Sequence, residues 1–194
     1  MQTDSDQEIV VRIQHGSLEA LGFIYDRHRV LVYRTAMGIC NDPETAADLL
    51  QDVFLRLFRF ADRIDVARPL EPWLYRMTAN LAYTWVKRHQ RWMRPLEDIG
   101  EWLAGSKKLS PQNAAESLEE AQRVQQAIAC LPLRQRVVVV LYYLNDLSLL
   151  EIAEILEIPE GTVKSRLHYG REALRKQLLL TSNERPIELV YEFT

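Results

Sequence analysis

Basic side chains are concentrated in one short segment of an otherwise acidic chain. Residues 161–176 carry five cations and one acid, whereas the whole chain of 194 residues has a formal net charge of −3. The cations are Lys164, Arg166, Arg171, Arg175 and Lys176, and the acid is Glu172. Lysine and arginine bind phosphate oxygens, and arginine also hydrogen-bonds the edges of bases. The segment therefore predicts a contact with nucleic acid.

The apolar residues around this segment are spaced as in a helix-turn-helix. Ser148 is the N-cap candidate of a first helix, and a tight turn over residues 157–160 precedes a second helix. The predicted buried positions are Leu149, Ile152, Ala153 and Leu156 on the first helix and Val163, Leu167, Gly170 and Leu174 on the second. In such a motif the second helix enters the major groove, where its N-terminal residues reach base edges.

The outward positions of the second helix are therefore the predicted DNA contacts. They are Thr162, Lys164, Ser165, Arg166, His168, Tyr169 and Arg171. A solvated helix face is the alternative interpretation. Glu151 and Glu154 place acids on the first helix while the cations lie on the second, and this separation favours DNA binding.

A second basic tract lies in the first half of the chain. Residues 76–94 include no acid, and the cations are Arg76, Lys87, Arg88, Arg91 and Arg94. Aromatic residues alternate with them or precede them: Trp73, Tyr75, Tyr83, Trp85 and Trp92. Cations for the backbone and flat rings for unstacked bases are what single-stranded nucleic acid requires. The alternative is that the aromatic rings are core residues, which we favour for Trp73 and Tyr83.

Helical periodicity extends over almost all of the chain and predicts an all-α protein. Residues 43–60 read as a helix that begins after Asn41-Asp42 and has a polar face with Asp48, Gln51 and Asp52. Residues 137–144, VVVVLYYL, have the β-branched density of a strand. A strand needs a partner and the sequence offers none, so a buried helix is the prediction and a strand the alternative.

Proline, glycine and serine divide the chain into two small helical domains. We predict a first domain over residues 1–94, a flexible linker over 95–114, a second domain over 115–180 and a tail over 181–194. No signal peptide or membrane span is legible, and the composition is that of a soluble globular protein. Cys40 and Cys130 stand far apart and form no CxxC motif, and the four histidines are scattered. We therefore expect a cytoplasmic protein without a metal or cofactor.

The order of these segments resembles that of bacterial extracytoplasmic-function (ECF) sigma factors. The resemblance rests on DLLQDVFLRLF (48–58), PWLYRMTANLAYTWVKRHQR (72–91) and LPLRQRVVVVLYYLNDLSLLEIAEILEIPEGTVKSRLHYGREALRKQL (131–178). It covers nearly the whole chain. It implies a sigma region 2 domain, a linker and a sigma region 4 domain, in a protein that binds core RNA polymerase and directs promoter-specific transcription initiation.

The resemblance also assigns residues to partners. It implies that the β′ clamp helices of the polymerase bind Asp48, Gln51, Asp52 and Leu55, and that the β flap binds region 4. It implies that the −35 element is read as duplex by the helix-turn-helix. It implies that the −10 element is read as a melted strand by Ile64, Asp65, Arg68, Asn80, Tyr83, Lys87, Arg88 and Arg91. An anti-sigma factor is the family's usual regulator, and promoter DNA and polymerase are the other expected partners.

Two other classes of protein remain as alternatives. The first is a polymerase-independent helix-turn-helix repressor or activator, which leaves the second basic tract unexplained. The second is a helical enzyme, which no nucleophile motif, glycine-rich phosphate loop or metal-ligand pattern supports. We therefore expect a protein that is not an enzyme.

Overall fold

The computed structural model describes residues 4–89 and 111–181, and all regular structure within these ranges is helical. The helices are α1 (Asp6–Gln14), α2 (Leu18–Cys40), α3 (Pro43–Arg59), α4 (Glu71–His89), α5 (Pro111–Ala129), α6 (Leu133–Val139), α7 (Leu149–Leu156) and α8 (Glu160–Thr181). A 3₁₀ turn (Ala61–Arg63) follows α3, and a π-helical segment (Val140–Leu144) continues α6. The prediction of an all-α protein is confirmed. None of the helices in the described ranges is long and apolar enough to cross a membrane.

The β-branched run of residues 137–144 is helical, as predicted. It begins in α6 and ends in the π-helical segment, and Val138 and Val140 are fully buried. A helix satisfies its own backbone hydrogen bonds, so this apolar segment can lie in the core without a neighbouring strand. The strand alternative is therefore wrong.

Helices α1 to α4 form the N-terminal lobe, residues 4–89. Side-chain caps fix where its helices begin: Ser5 accepts from the amide of Glu8, Ser17 from that of Ala20, and the Asp42 carboxylate from that of Thr45. The core of this lobe contains apolar residues from all four helices, including Ile9, Ile24, Val53, Leu57 and Leu74. The predicted start of α3 at Asn41-Asp42-Pro43 is thus explained by an N-cap followed by proline at the first position.

Helices α5 to α8 form the C-terminal lobe, residues 111–181, and its core extends into the N-terminal lobe. One hydrophobic cluster joins the end of α2 and one side of α4 to the inner residues of α6, α7 and α8. Its N-terminal members include Met37, Ile39, Tyr75, Ala79 and Val86, and its C-terminal members include Val138, Leu141, Ile152, Val163 and Leu167. The N-terminal lobe therefore has a cluster of its own and contributes to a second cluster that it shares with the C-terminal lobe.

The C-terminal end of α2 is capped from the other lobe. Arg136, 6% exposed, donates from Nη1 to the carbonyl of Ile39 at 2.8 Å, and its Nη2 donates to the carbonyls of Leu131, at 3.2 Å, and Ala129. Gln125, 1% exposed, donates to the carbonyl of Met37 at 3.0 Å. The last carbonyls of a helix have no following turn to pair with, and Arg136 supplies a donor to that of Ile39. Gln125 adds a second donor to the carbonyl of Met37, which also accepts from the amide of Asn41 at 2.9 Å.

The N-terminal lobe caps two helix ends of the C-terminal lobe in the same way. Arg76 donates to the carbonyls of Glu154 at 2.9 Å and Ile155 at 3.1 Å, and pairs with the Glu157 carboxylate at 2.6 Å. Arg34 donates to the carbonyl of Leu144 at 2.9 Å. A cation at a helix C-terminus is also favoured by the helix dipole. We call this set of contacts and the shared cluster the lobe interface.

The predicted boundaries fall largely outside the described residues. The predicted linker, residues 95–114, precedes and overlaps the start of α5 at Pro111, and residues 90–110 are not described. The tail, residues 181–194, is described only at Thr181, the last residue of α8.

We predict that Arg136→Met destabilises the protein by about 3 kcal/mol, because it removes a buried donor from the carbonyl of Ile39 at the end of α2 and from those of Ala129 and Leu131. Burial also lowers the pKa of Arg136, because the charged form loses hydration in this site. The measurement is urea unfolding followed by circular dichroism. Arg134→Met, at an exposed position two residues earlier, is the matched control and should change stability by less than about 0.5 kcal/mol. Equal effects of the two substitutions would contradict a capping role for Arg136.

Candidate nucleic-acid interfaces

The helix-turn-helix is built by local hydrogen bonds at the positions that the sequence indicates. Ser148 caps α7 in a capping box with Glu151, and hydrogen bonds from the Ser148 hydroxyl and amide lower the pKa of the Glu151 carboxyl. Glu157 ends α7 in the left-handed region at φ 52°, and the amide of Ile158 donates to the carbonyl of Ala153 at 3.1 Å. These contacts close the turn and set the direction in which α8 leaves it.

The inner face of α8 agrees with the prediction. Val163, Leu167 and Leu174 are at most 8% exposed, and Gly170 is buried against α6. A Cβ on Gly170 would lie 2.8 Å from Cγ2 of Val139, so only glycine fits this crossing of the two helices. The close approach holds α8 against the lobe and turns its other face outward.

The inner face of α7 differs in part from the prediction. Ile152 and Ala153 are buried as expected, but Leu149 and Leu156 are only half-buried. Ile155, which the sequence analysis did not place inside, is 2% exposed and belongs to the shared cluster. The reason is that α7 packs against α4 as well as α8, so its buried face is wider than an isolated helix-turn-helix requires.

Most of the outward residues of α8 are accessible. Lys164, Ser165, His168 and Tyr169 are exposed, with Tyr169 at 61%. Lys164 pairs with Glu160 one turn earlier at 2.9 Å, an exposed contact that phosphates can replace at little cost. Thr162 is half-buried, and its carbonyl accepts from the hydroxyl of Ser165 at 3.0 Å.

Two of the predicted DNA contacts face other parts of the protein. The Arg171 guanidinium lies 5.3 and 5.6 Å from the ring centres of Tyr142 and Tyr143, so it is held over these rings by cation–π contacts. Arg166 is half-buried and lines a cleft of about 320 Å³ between the lobes. Asn80 and Tyr83 of α4 line the same cleft, as does Arg134 of α6.

The second basic tract lies along the last turns of α4. Asn80, Lys87 and Arg88 are exposed, whereas Trp73 and Tyr83 are half-buried and pack against the two hydrophobic clusters. Trp85 stacks on His89 with ring centres 4.5 Å apart. Arg76 does not belong to this surface, because its guanidinium is directed to the end of α7. Residues Arg91, Trp92 and Arg94 lie outside the described residues.

The loop before α4 holds the remaining predicted residues of this surface. Ile64 is half-buried, Asp65 and Arg68 are exposed, and the last two pair at 3.3 Å. The loop and the first turn of α1 line a cavity of about 260 Å³. Gln14, which the sequence did not single out, donates to the carbonyls of Ala61 and Ile64 at 3.0 and 3.1 Å and so positions the loop. The sequence gives no signal for this role, because hydrophobic periodicity locates apolar faces and not a polar side chain that hydrogen-bonds the backbone of a distant loop.

A histidine and two carboxylates approach each other beside this cavity. Ligand atoms of Asp6, His28 and Glu71 lie within 4.8 Å of one another. The oxygens of Asp6 already pair with Arg27 and with Nε2 of His28, the latter at 2.6 Å. This donor set is therefore a local ion-pair network that ties α1 to α2, and no metal is assigned to it.

The polar side of α3 is open to solvent. Asp48 and Gln51 are exposed, and Leu55 is 60% exposed. Asp52 is half-buried and pairs with Arg56 at 3.0 Å. Acidic side chains repel phosphate groups, so this face is not suited to nucleic acid.

We predict that Gly170→Ala destabilises the protein by about 1–3 kcal/mol, because the new methyl group overlaps the stiff Val139 side chain at the α6–α8 crossing. Thermal unfolding measures the effect. Gly161→Ala, in the first turn of α8, is the control, since a Cβ there meets nothing within 4 Å. Alanine favours a helix, so this control should be neutral or stabilising by up to about 1 kcal/mol. A destabilising Gly161→Ala together with a neutral Gly170→Ala would contradict this packing of α8.

Comparison with family models matches both lobes. Residues 24–92 match sigma-70 region 2, and residues 121–174 match sigma-70 region 4. The first match contains α3 and α4, and the second contains the helix-turn-helix.

Solved structures share the fold at low sequence identity. CnrH, in a complex with the cytosolic domain of CnrY, superposes with a TM-score of 0.69 at 24% identity, over 92% of this chain and 100% of that one. RpoE, in a complex with the anti-sigma factor NepR from Bartonella quintana, superposes with a TM-score of 0.61 at 21% identity, over 79% of this chain and 94% of that one.

Curated relatives match at higher identity and over similar lengths. The ECF RNA polymerase sigma factor SigW of Bacillus subtilis (strain 168) is 35% identical over an alignment of 180 positions, which covers 87% of this chain and 94% of SigW. The ECF sigma factor SigL of Mycobacterium tuberculosis is 31% identical over 80% of this chain and 86% of SigL. Together with the two matched sigma regions, this similarity shows that the chain belongs to the extracytoplasmic-function family of RNA polymerase sigma factors.

Proposed function

We propose that this sigma factor divides promoter recognition among three surfaces, one for polymerase and two for DNA. As an ECF sigma factor it binds core RNA polymerase and directs promoter-specific transcription initiation. The observation that supports the division is that two exposed basic surfaces lie on different lobes, while the exposed face of α3 carries acids, an amide and a leucine.

The outward face of α8 reads the −35 element as duplex DNA. Ser165 and Arg166 lie near the N-terminal end of α8, where a recognition helix contacts base edges, and Lys164 is placed to bind phosphate. Arg171 also takes part in −35 binding. Its contacts with Tyr142 and Tyr143 hold the guanidinium at one side of α8. His168 and Tyr169 supply exposed rings on the same face.

The −10 element is read as a melted strand by the loop before α4 and by α4 itself. Asn80 offers both a donor and an acceptor to a base edge, and Tyr83 offers a ring for stacking. Lys87 and Arg88 are exposed on the following turns and hold the backbone, with Arg91 beyond the described range. Ile64, Asp65 and Arg68 belong to the loop that Gln14 holds in place.

The exposed face of α3 binds the β′ clamp helices of the polymerase. Asp48, Gln51 and Asp52 provide the polar contacts, and Leu55 the apolar centre. The C-terminal lobe binds the β flap, and this contact fixes the distance between that lobe and the clamp. An anti-sigma factor regulates the protein, a proposal supported by the two structural neighbours whose complexes contain such partners or a cytosolic domain.

We predict that Gln51→Ala/Asp52→Ala abolishes co-elution of the protein with bacterial core RNA polymerase on gel filtration. The substitutions remove polar contacts from the centre of the proposed clamp surface, and losing a few such contacts weakens an interface by a factor of about 100 or more. Arg29→Ala, at an exposed site on α2, is the control and should co-elute normally. Retention of the complex by the double variant would place the polymerase surface elsewhere.

We predict that Arg166→Ala and Lys164→Ala weaken −35 binding in different ways. Loss of a base contact at Arg166 costs about 1–3 kcal/mol at particular bases, so preference at one position of the element relaxes. Loss of a phosphate contact at Lys164 weakens all sequences equally and lowers the slope of log K against log salt by about 1. Holoenzyme binding to a −35 library at several salt concentrations measures both. A uniform loss with Arg166→Ala would exclude it from base reading.

A further inference from the structure

The loop before α4 is buried at its two ends and little supported between them. Ala61 and Leu70 are each 3% exposed and belong to the core of the N-terminal lobe. Between them Ile64 and Val66 are half-buried, and the other residues of 62–69 are exposed. The cavity of about 260 Å³ between the loop and α1 means that packed atoms do not fill the space on that side. Packing alone therefore leaves the position of the loop weakly determined.

The hydrogen bonds within the loop are local. The amide of Ile64 donates to the carbonyl of Ala61 at 2.9 Å, and the amide of Arg68 donates to the carbonyl of Asp65 at 3.1 Å. The Asp65 carboxylate accepts from the amide of Ala67 at 3.0 Å. Each bond joins residues two or three positions apart, so together they set the curvature of the loop but not its position against the rest of the lobe.

Gln14 supplies the hydrogen bonds that join the loop to a helix distant in sequence. Nε2 of Gln14 donates to the carbonyls of Ala61 and Ile64, which lie 47 and 50 residues further along the chain. This nitrogen carries two hydrogens, so both of its donors are used. Within the described residues the Ile64 carbonyl has no other donor, whereas that of Ala61 also accepts from an amide of the loop. The position of the loop backbone at Ile64 therefore depends on Gln14.

Helix α1 is a firm support for this side chain. Three of its apolar residues are buried in the core of the N-terminal lobe: Ile9, Val10 and Ile13. Near its N-terminal end, Asp6 pairs with Nε2 of His28 at 2.6 Å. The helix ends at Gln14, and Gly16 follows at φ 84° with its amide bonded back to the last turn. Gln14 thus projects from a helix that is held at both ends.

We propose that Gln14 is a positioning residue for −10 recognition, which sets the base preference of the loop without touching DNA. The proposal rests on the assignment of Ile64, Asp65 and Arg68 to the −10 element. Ile64 connects the two roles, because Gln14 holds its carbonyl while Asp65, the next residue, projects into solvent as a reading group. Hydrogen bonds to base edges weaken steeply with distance and angle, so a small displacement of this backbone lowers the discrimination between bases.

Two substitutions of Gln14 that differ in donor capacity test the proposal. Gln14→Met keeps a side chain of similar length and removes both donors, whereas Gln14→Lys retains a donor group. Holoenzyme with each variant transcribes a promoter library in which the −35 element is fixed and the −10 element is varied. We expect Gln14→Met to lower the preference between −10 bases by about threefold to tenfold, the range for loss of a hydrogen bond, and Gln14→Lys to keep the wild-type preference. An unchanged preference in Gln14→Met, or equal losses in both variants, would overturn the proposal.

A second library separates positioning from general destabilisation. Loss of folded protein lowers transcription from all promoters alike, so it leaves the ratios between bases unchanged. With the −10 element fixed and the −35 element varied, Gln14→Met should keep the wild-type preference. Gln7→Met is the control: Gln7 is exposed two turns earlier on α1, makes no hydrogen bond to the loop within the described residues, and should leave both preferences unchanged. Equal losses of −10 and −35 preference in Gln14→Met would reject a positioning role.

A variant of the loop itself distinguishes failure of this proposal from failure of the assigned −10 surface. Asp65→Asn/Arg68→Ala changes the two exposed groups, but keeps an acceptor for the amide of Ala67 and leaves the carbonyls that Gln14 binds in place. A changed −10 preference in this variant, with none in Gln14→Met, would reject the role of Gln14 alone. If neither protein changes the preference while both co-elute with core polymerase, the loop does not read the −10 element, and both proposals are rejected.

Discussion

A helix that ends inside a core must find hydrogen-bond donors for its last carbonyl groups. In this protein several of those donors come from the other lobe. Arg136 and Gln125 of the C-terminal lobe serve the end of α2, and Arg76 and Arg34 of the N-terminal lobe serve the ends of α7 and of the π-helical segment. Because each lobe satisfies groups of the other, the two lobes pack together around the hydrophobic cluster that they share.

The helix caps that the lobes exchange also decide which arginines leave positive charge on the surface. Its arginines have two kinds of role. Arg34, Arg76 and Arg136 are directed at backbone carbonyls, where a guanidinium can satisfy two or three acceptors at once. Lys87, Arg88 and Lys164 stay on the surface. The number of cations in a sequence segment is therefore a poor guide to DNA binding. The direction of each side chain has to be known before a cation is assigned to DNA.

The sequence predicts what local patterns determine and misses what depends on the lobe interface. The helices, the cap at Ser148 and the inner face of α8 follow from periodicity and capping residues, and they are observed where predicted. Arg76 was predicted to be part of a DNA-binding tract, but its partners lie 78 to 81 residues away in the chain. The burial of Ile155 has the same cause. Periodicity carries no signal for such distant contacts.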